Sequence, residues 1–212
     1  MIHEAWGVDD VLLRQADRLA SAGYLVLAPD LFADRNTLRC MISTARAMRA
    51  GQGRPFELIG DARSQLLADP DCTGRVGVIG FCMGGGFALV LSARGYQASS
   101  VNYGIFPPQN LEATLTGSCP MVASYGGLDK QLAERVPELE ETLTRLEVPH
   151  DVKVYPTAGH SFLNDAPNGP RLLRPLLRIS HVGPEPVAAA DAWQRIEAFF
   201  AEHLHADHPG GT

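Results

Sequence analysis

Gly77-Val78-Ile79-Gly80-Phe81-Cys82-Met83-Gly84-Gly85 changes character at its centre. Arg75 to Ile79 reads as a strand. Gly84 to Ala93 reads as a helix of small residues. Between them, Gly80-Phe81-Cys82-Met83-Gly84 has the spacing of a nucleophile elbow with cysteine at its apex. Such a turn forces the central residue into a strained backbone conformation, so its neighbours must be small, and Gly80 and Gly84 meet that need. The Cys82 sulfur is then expected above the sheet at a helix N-terminus, where backbone N–H groups and the helix dipole favour a thiolate. The Met83 N–H would be one donor of an oxyanion hole. Taken alone, the stretch equally fits a tight turn around a buried thiol.

Working outward, strand-like and helix-like segments alternate. Helices are expected over Val11–Ala22 (capped by Asp9 or Asp10 and ended by Gly23), Thr37–Ala50, Phe56–Ala68, Pro137–Leu146 and Ala188–His203. Strands are expected over Tyr24–Ala28, a continuous apolar run that reads as buried on both faces, and over Ser99–Tyr103, Met121–Tyr125 and Asp151–Tyr155. Strand and helix in turn imply crossovers and a mostly parallel central sheet with helices on both faces. In such sheets chemistry belongs at the carboxyl ends of the strands. Two more such ends carry reactive residues: Gly126-Gly127-Leu128-Asp129 and Gly159-His160-Ser161-Phe162. Singly, Asp129 also fits a helix cap before Lys130-Gln131, and His160 a loop histidine. Together, the order Cys82, Asp129, His160 is the α/β-hydrolase order of nucleophile, acid and base. The imidazole would take the thiol proton and the carboxylate would fix its tautomer.

Length and composition bound the rest. The 212 residues suit one domain, expected over 1–204 with a flexible tail at 205–212. A net charge of −6 argues against nucleic acid as partner, and no apolar run approaches the roughly 20 residues of a membrane span. Met1-Ile2-His3-Glu4 lacks a secretory layout, and Cys40, Cys72, Cys82 and Cys119 match no metal-ligand or disulfide spacing. A cytoplasmic protein without a metal or cofactor is expected, monomeric or homodimeric. His3, His150 and His181 share no motif, and His203, His205 and His208 read as a solvated tail.

Glu4-Ala5-Trp6-Gly7, Pro29-Asp30-Leu31, the cysteine elbow, Gly126-Gly127-Leu128-Asp129 and Ala158-Gly159-His160-Ser161-Phe162 together resemble the dienelactone hydrolase family, in register from about residue 3 to 163. The resemblance implies an enzyme that opens small esters or lactones through a thioester acyl-enzyme. It implies that Glu4 contacts the resting thiol and that Ala5 gives the second oxyanion N–H. Trp6, Phe81, Tyr103, Phe162 and Arg39 are the expected substrate contacts. The resemblance also implies an α/β-hydrolase fold that is N-terminally truncated, since the family carries strands ahead of this point. Where the family has an arginine, four residues after the histidine, this chain has Asn164. Arg35, Arg39 or Arg46 offers a cation instead, and Asp165–Pro184, with Arg171, Arg174 and Arg178, reads as a substrate wall or an irregular surface connection. A thioesterase or broader carboxylesterase stays within this chemistry. The reading from another class is a catalytically weak hydrolase-fold protein with a redox-sensitive thiol.

Overall fold

The computed structural model describes the chain except residues 33–36, 109, 171, 173 and 206–212, and except the side chains of residues 37–39 and 41. Four parallel strands, β1 (Gly77–Phe81), β2 (Ala98–Asn102), β3 (Met121–Gly126) and β4 (His150–Tyr155), lie in sequential order. Their register pairs Gly80 with Val101, Val101 with Ala123, and Ala123 with Val152. The side chains alternate between two cores. Val78, Val101, Met121, Ala123 and Tyr125 face one side, while Ile79, Phe81, Ala98 and Val122 face the other. This period of two is what a strand covered on both faces imposes.

Helices fill both sides, as the alternating sequence requires. On the first side lie α2 (Thr37–Ala50), α3 (Arg54–Ala68), α4 (Met83–Leu91), α5 (Leu111–Leu115) and α7 (Val136–Arg145). On the second, α1 (Asp10–Ser21) lays Leu12 and Leu19 against α9 (Pro186–Leu204), whose Trp193, Ile196 and Phe200 are buried. Asp9 caps α1, its Oδ1 accepting the Leu12 N–H at 2.9 Å. Three shorter helices, α5, α6 (Lys130–Ala133) and α8 (Arg174–Ile179), were not expected from the sequence. With only one or two turns each, none presents enough of a helical period to be read. None of the described helices is long and apolar enough to cross a membrane.

One expected strand is corrected. Tyr24–Ala28 enters no ladder, and it is half-buried with Leu25 exposed, not buried on both faces. Its neighbour toward the sheet is the short segment at Met1–His3, which it meets through the Met1 nitrogen and Leu27 O at 2.8 Å. That segment in turn docks on β1: the Ile2 N–H donates to Ile79 O at 2.8 Å and the Phe81 N–H to Ile2 O at 3.3 Å. The residues leading to Glu4 are thus attached directly to the strand that ends in the cysteine turn.

Candidate active site

The Cys82 turn is built by close approach of backbone to backbone. Cys82 itself has φ of 54°, a conformation that L residues other than glycine seldom adopt. A Cβ on Gly80 would collide with the Gly84 carbonyl, and one on Gly84 with the carbonyl of Ile2. The turn is held from outside as well. The Cys82 N–H donates to Asn102 O at 3.0 Å, and Cys82 O accepts the Gly86 N–H at 3.1 Å and the Ile105 N–H at 3.3 Å. Cys82 stands at the N-cap of α4 without using its side chain as a cap, so the sulfur is left to other partners. Met83 begins that helix, where an N–H has no intrahelical acceptor.

Asp129 and His160 arrive on adjacent strand ends. The two loops are stitched together by Gly127 N–H to Tyr155 O at 2.8 Å and Leu128 N–H to Ala158 O at 3.0 Å. Asp129 is the N-cap of α6, but its carboxylate makes no cap bond. Its Oδ2 lies instead 2.6 Å from His160 Nδ1. Burial opposes a charged imidazole, yet the bond to Asp129 and the proximity of Cys82 outweigh it, and the His160 pKa is pushed up to about 10. The histidine loop is pinned from behind, where the Gly183 N–H donates to His160 O at 2.9 Å and Ser161 is held at φ of 59°. A Cβ on Gly159 would run into the carbonyl of His181, so this glycine is what permits the approach.

The expected Glu4 is buried, 7% exposed, at the same site. Its carboxylate accepts from Asn168 Nδ2 at 2.6 Å and from Asn164 Nδ2 at 3.4 Å. The amide oxygen of Asn164 accepts from Gln15 Nε2 at 3.1 Å and from the Tyr103 hydroxyl at 3.4 Å. Burial raises the Tyr103 pKa well above the ordinary tyrosine value, and Glu4, Cys82 and Asp9 push it the same way. The hydroxyl therefore stays protonated and faces both Glu4 and Asn164. Ahead of Glu4, the wholly buried His3 ring is fixed at both nitrogens: Nδ1 meets Glu4 O at 2.6 Å and Nε2 accepts the Leu31 N–H at 3.0 Å. A neutral ring with its proton on Nδ1 satisfies both bonds, and burial lowers its pKa accordingly.

The structure thus brings Cys82, Asp129, His160, Glu4 and Tyr103 together. Ala5 and Trp6 occupy the turn closed by the Gly7 N–H and Glu4 O at 3.3 Å, and the Trp6 indole lies over Gly169. Phe81 and Phe162, also expected at the substrate, are fully buried beneath the site. Phe81 packs on Tyr103 and Trp193, and Phe162 on Tyr103 and Tyr155. The Arg39 side chain and Arg35 lie outside the described residues. Among the described residues no group of three or more His, Cys, Asp or Glu gathers in a metal-binding arrangement. Gln15 and Asn168 were missed in the sequence. They stand on a helix face and in an irregular connection, with no motif linking either to Glu4.

The model of the dienelactone hydrolase family matches residues 1–204. A carboxymethylenebutenolidase of Rhodococcus opacus is 28% identical over 214 residues, covering 96% of this chain and 80% of that protein. A putative carboxymethylenebutenolidase of Saccharolobus solfataricus is 25% identical over 236 residues, covering 94% of this chain and 86% of that protein. Among solved structures, a dienelactone hydrolase-like promiscuous phosphotriesterase from metagenomic libraries superposes with a TM-score of 0.69 at 22% identity, over 96% of this chain and 85% of that one. A putative dienelactone hydrolase of Klebsiella pneumoniae superposes with a TM-score of 0.63 at 21% identity, over 95% and 85%. These two share the fold, a mostly parallel sheet with helices around it. By its match over residues 1–204, the chain belongs to the dienelactone hydrolase family.

Proposed function

We propose that this chain is a cysteine-dependent hydrolase of small carboxylic esters or lactones, working through a thioester acyl-enzyme. The observation that carries the reading is the position of His160, bonded to Asp129 at 2.6 Å on one side and adjacent to the Cys82 thiol on the other. A raised imidazole pKa next to a thiol at a helix N-terminus favours a thiolate–imidazolium pair. The thiolate attacks the carbonyl carbon, and the new C–S bond pushes an electron pair onto the carbonyl oxygen. The Met83 and Ala5 N–H groups would hold that oxyanion. As the oxyanion collapses, the C–O bond breaks and His160 gives its proton to the departing oxygen. Neutral His160 then takes a proton from water, the hydroxide attacks the thioester, and the C–S bond breaks. This restores thiolate and imidazolium, and no cofactor enters either step.

Rapid-quench mass spectrometry with p-nitrophenyl acetate tests the reading. An acetyl adduct on Cys82 that forms and decays in the wild type, and is missing from Cys82→Ala, is the expected outcome. No adduct on the wild type, or full turnover by Cys82→Ala, would overturn it.

A further inference from the structure

Asn102 is the last residue of β2, beside the cysteine turn, and its side chain lies on the sheet face that α9 covers. It holds the turn at two points. Its backbone oxygen accepts the Cys82 N–H at 3.0 Å, and its side-chain Nδ2 donates to Gly80 O at 3.2 Å and to Ser100 Oγ at 3.1 Å. Gly80 O can only accept, so this bond fixes which end of the amide is the nitrogen. Asn102 is wholly buried and so meets neither solvent nor a substrate.

Stability alone is a poor account of an amide at this place. Ile79, Phe81, Ala98 and Val122 make the surrounding face apolar, in one core with Trp193 and Ile196 of α9. Asn102 Oδ1 is buried with no hydrogen-bond partner among the described residues. The strand register sets Ser124 beside it on the same face, but Ser124 Oγ is occupied by Arg195 Nη1 at 3.2 Å. A buried acceptor left unpaired costs stability, and leucine has the same branching without that cost.

What the amide does is grip a strained turn. Cys82 has φ of 54°, and a Cβ on Gly80 would strike the Gly84 carbonyl. Such a conformation persists only where its surroundings over-determine it. The bond to the Cys82 N–H is made by backbone and survives replacement of the side chain, whereas the bond to Gly80 O belongs to the side chain alone.

We infer that Asn102 is a positioning residue for the Cys82 nucleophile: by holding Gly80 O, its side-chain amide keeps the strained turn in the conformation that presents the sulfur to His160 and the N-terminus of α4. The inference rests on the proposed ester hydrolysis and concerns the same site. Asn102 acts through the turn, on acylation and not on ester binding.

Two measurements test it. Stopped-flow recording of the p-nitrophenolate burst from p-nitrophenyl acetate gives the acylation rate and the ester concentration at half-saturation. Iodoacetamide alkylation of Cys82, followed by peptide mass spectrometry, gives the pH profile of the thiol. Asn102→Leu keeps the branching and removes the grip on Gly80. Its acylation is expected to slow on the order of 100-fold, the loss that a displacement of about 1 Å brings. Half-saturation should change little, and the alkylation profile should move to higher pH as the sulfur leaves the groups that favour its thiolate. Both readouts are taken on protein whose melting transition shows that it is folded. Should Asn102→Leu not fold, Asn102→Ser decides, since its hydroxyl is polar but too short to reach Gly80 O. Acylation and alkylation like those of the wild type overturn the inference and leave ester hydrolysis standing. Slower acylation with an unmoved alkylation profile also overturns it, because the amide would then serve the core and not the thiol. A wild type with neither a burst nor an acyl adduct on Cys82 overturns the function on which the inference rests.

Discussion

The Asp129 carboxylate lies 2.6 Å from His160 Nδ1 although Asp129 is also the residue that starts α6. The helix is capped by backbone alone, with the Leu132 and Ala133 N–H groups donating to Asp129 O at 3.2 and 2.9 Å. The side chain is therefore free for the imidazole. Both groups are largely withdrawn from solvent, with side-chain exposures of 21% for His160 and 16% for Asp129. The pair is set by two strand ends, β3 and β4, and not by any local turn.

The first expectation concerns catalysis. Asp129→Asn removes the charge that supports the imidazolium and lets the ring take the wrong tautomer. Activity on p-nitrophenyl esters should fall on the order of 1,000- to 10,000-fold, while the circular dichroism spectrum stays that of the wild type. Retention of a tenth or more of the wild-type rate would place the base elsewhere.

A second expectation follows from the raised His160 pKa. Its ordinary value is 6.5 and its folded value about 10, so the folded chain holds this proton where the unfolded chain has lost it. The stabilisation is fully present below pH 6.5 and disappears as pH rises toward 10. Melting temperatures measured across this window should decline in the wild type and decline less in Asp129→Asn, because Asp129 is the largest of the influences that raise the pKa. Identical slopes in the two proteins would contradict the assignment.

His3 titrates with the opposite sign. Burial depresses its pKa, so below about 6.5 the unfolded chain binds a proton that the folded chain refuses. Stability is then highest above that pH and falls on acidification. Replacing His3 by Ala strands the Leu31 N–H and opens a void, at a cost of about 1–3 kcal/mol for the unpaired donor alone. Denaturant titrations at pH 7 and pH 5 should show the wild type losing more stability to acid than the variant. Equal losses would mean that His3 is not the group responsible.

Gly84 tests the join between the cysteine turn and the residues before Glu4. A Cβ there meets the carbonyls of Ile2 and His3, which are backbone and cannot rotate away. Gly84→Ala should cost about 2–3 kcal/mol and lower turnover by more than the loss of folded protein explains, since Ile2 and His3 lead directly to Glu4 and Ala5. Urea unfolding alongside esterase assays separates the two effects. A variant as stable and active as the wild type would show that the Met1–His3 segment is not held against α4.

Much of this molecule was legible from residue order. The four strands β1 to β4 are found within two residues of where the apolar runs place them, and α2 spans Thr37–Ala50 as expected. Cys82, Asp129 and His160 stood out as candidates because each lies within two residues of a glycine just past a strand, and strand periodicity and glycine spacing are properties of a few consecutive residues. Tyr24–Ala28 misled for the converse reason. Its composition is that of a strand, but a ladder requires a neighbour of sufficient length, and composition does not record neighbours.

The surroundings of Glu4 belong to the tertiary structure alone. Asn168 is 164 residues away from Glu4 in the chain, and Gln15 is 149 from Asn164. An amide in sequence reads as a surface residue, and it becomes a partner of a buried carboxylate only when helix α1, the 164–168 connection and the segment from Ile2 to Glu4 are packed together. Local spacing determines which backbone turns and faces a chain can form. Which buried polar groups satisfy one another depends on where distant segments meet once the apolar faces have closed, and here that closure decided which amides meet the Glu4 carboxylate.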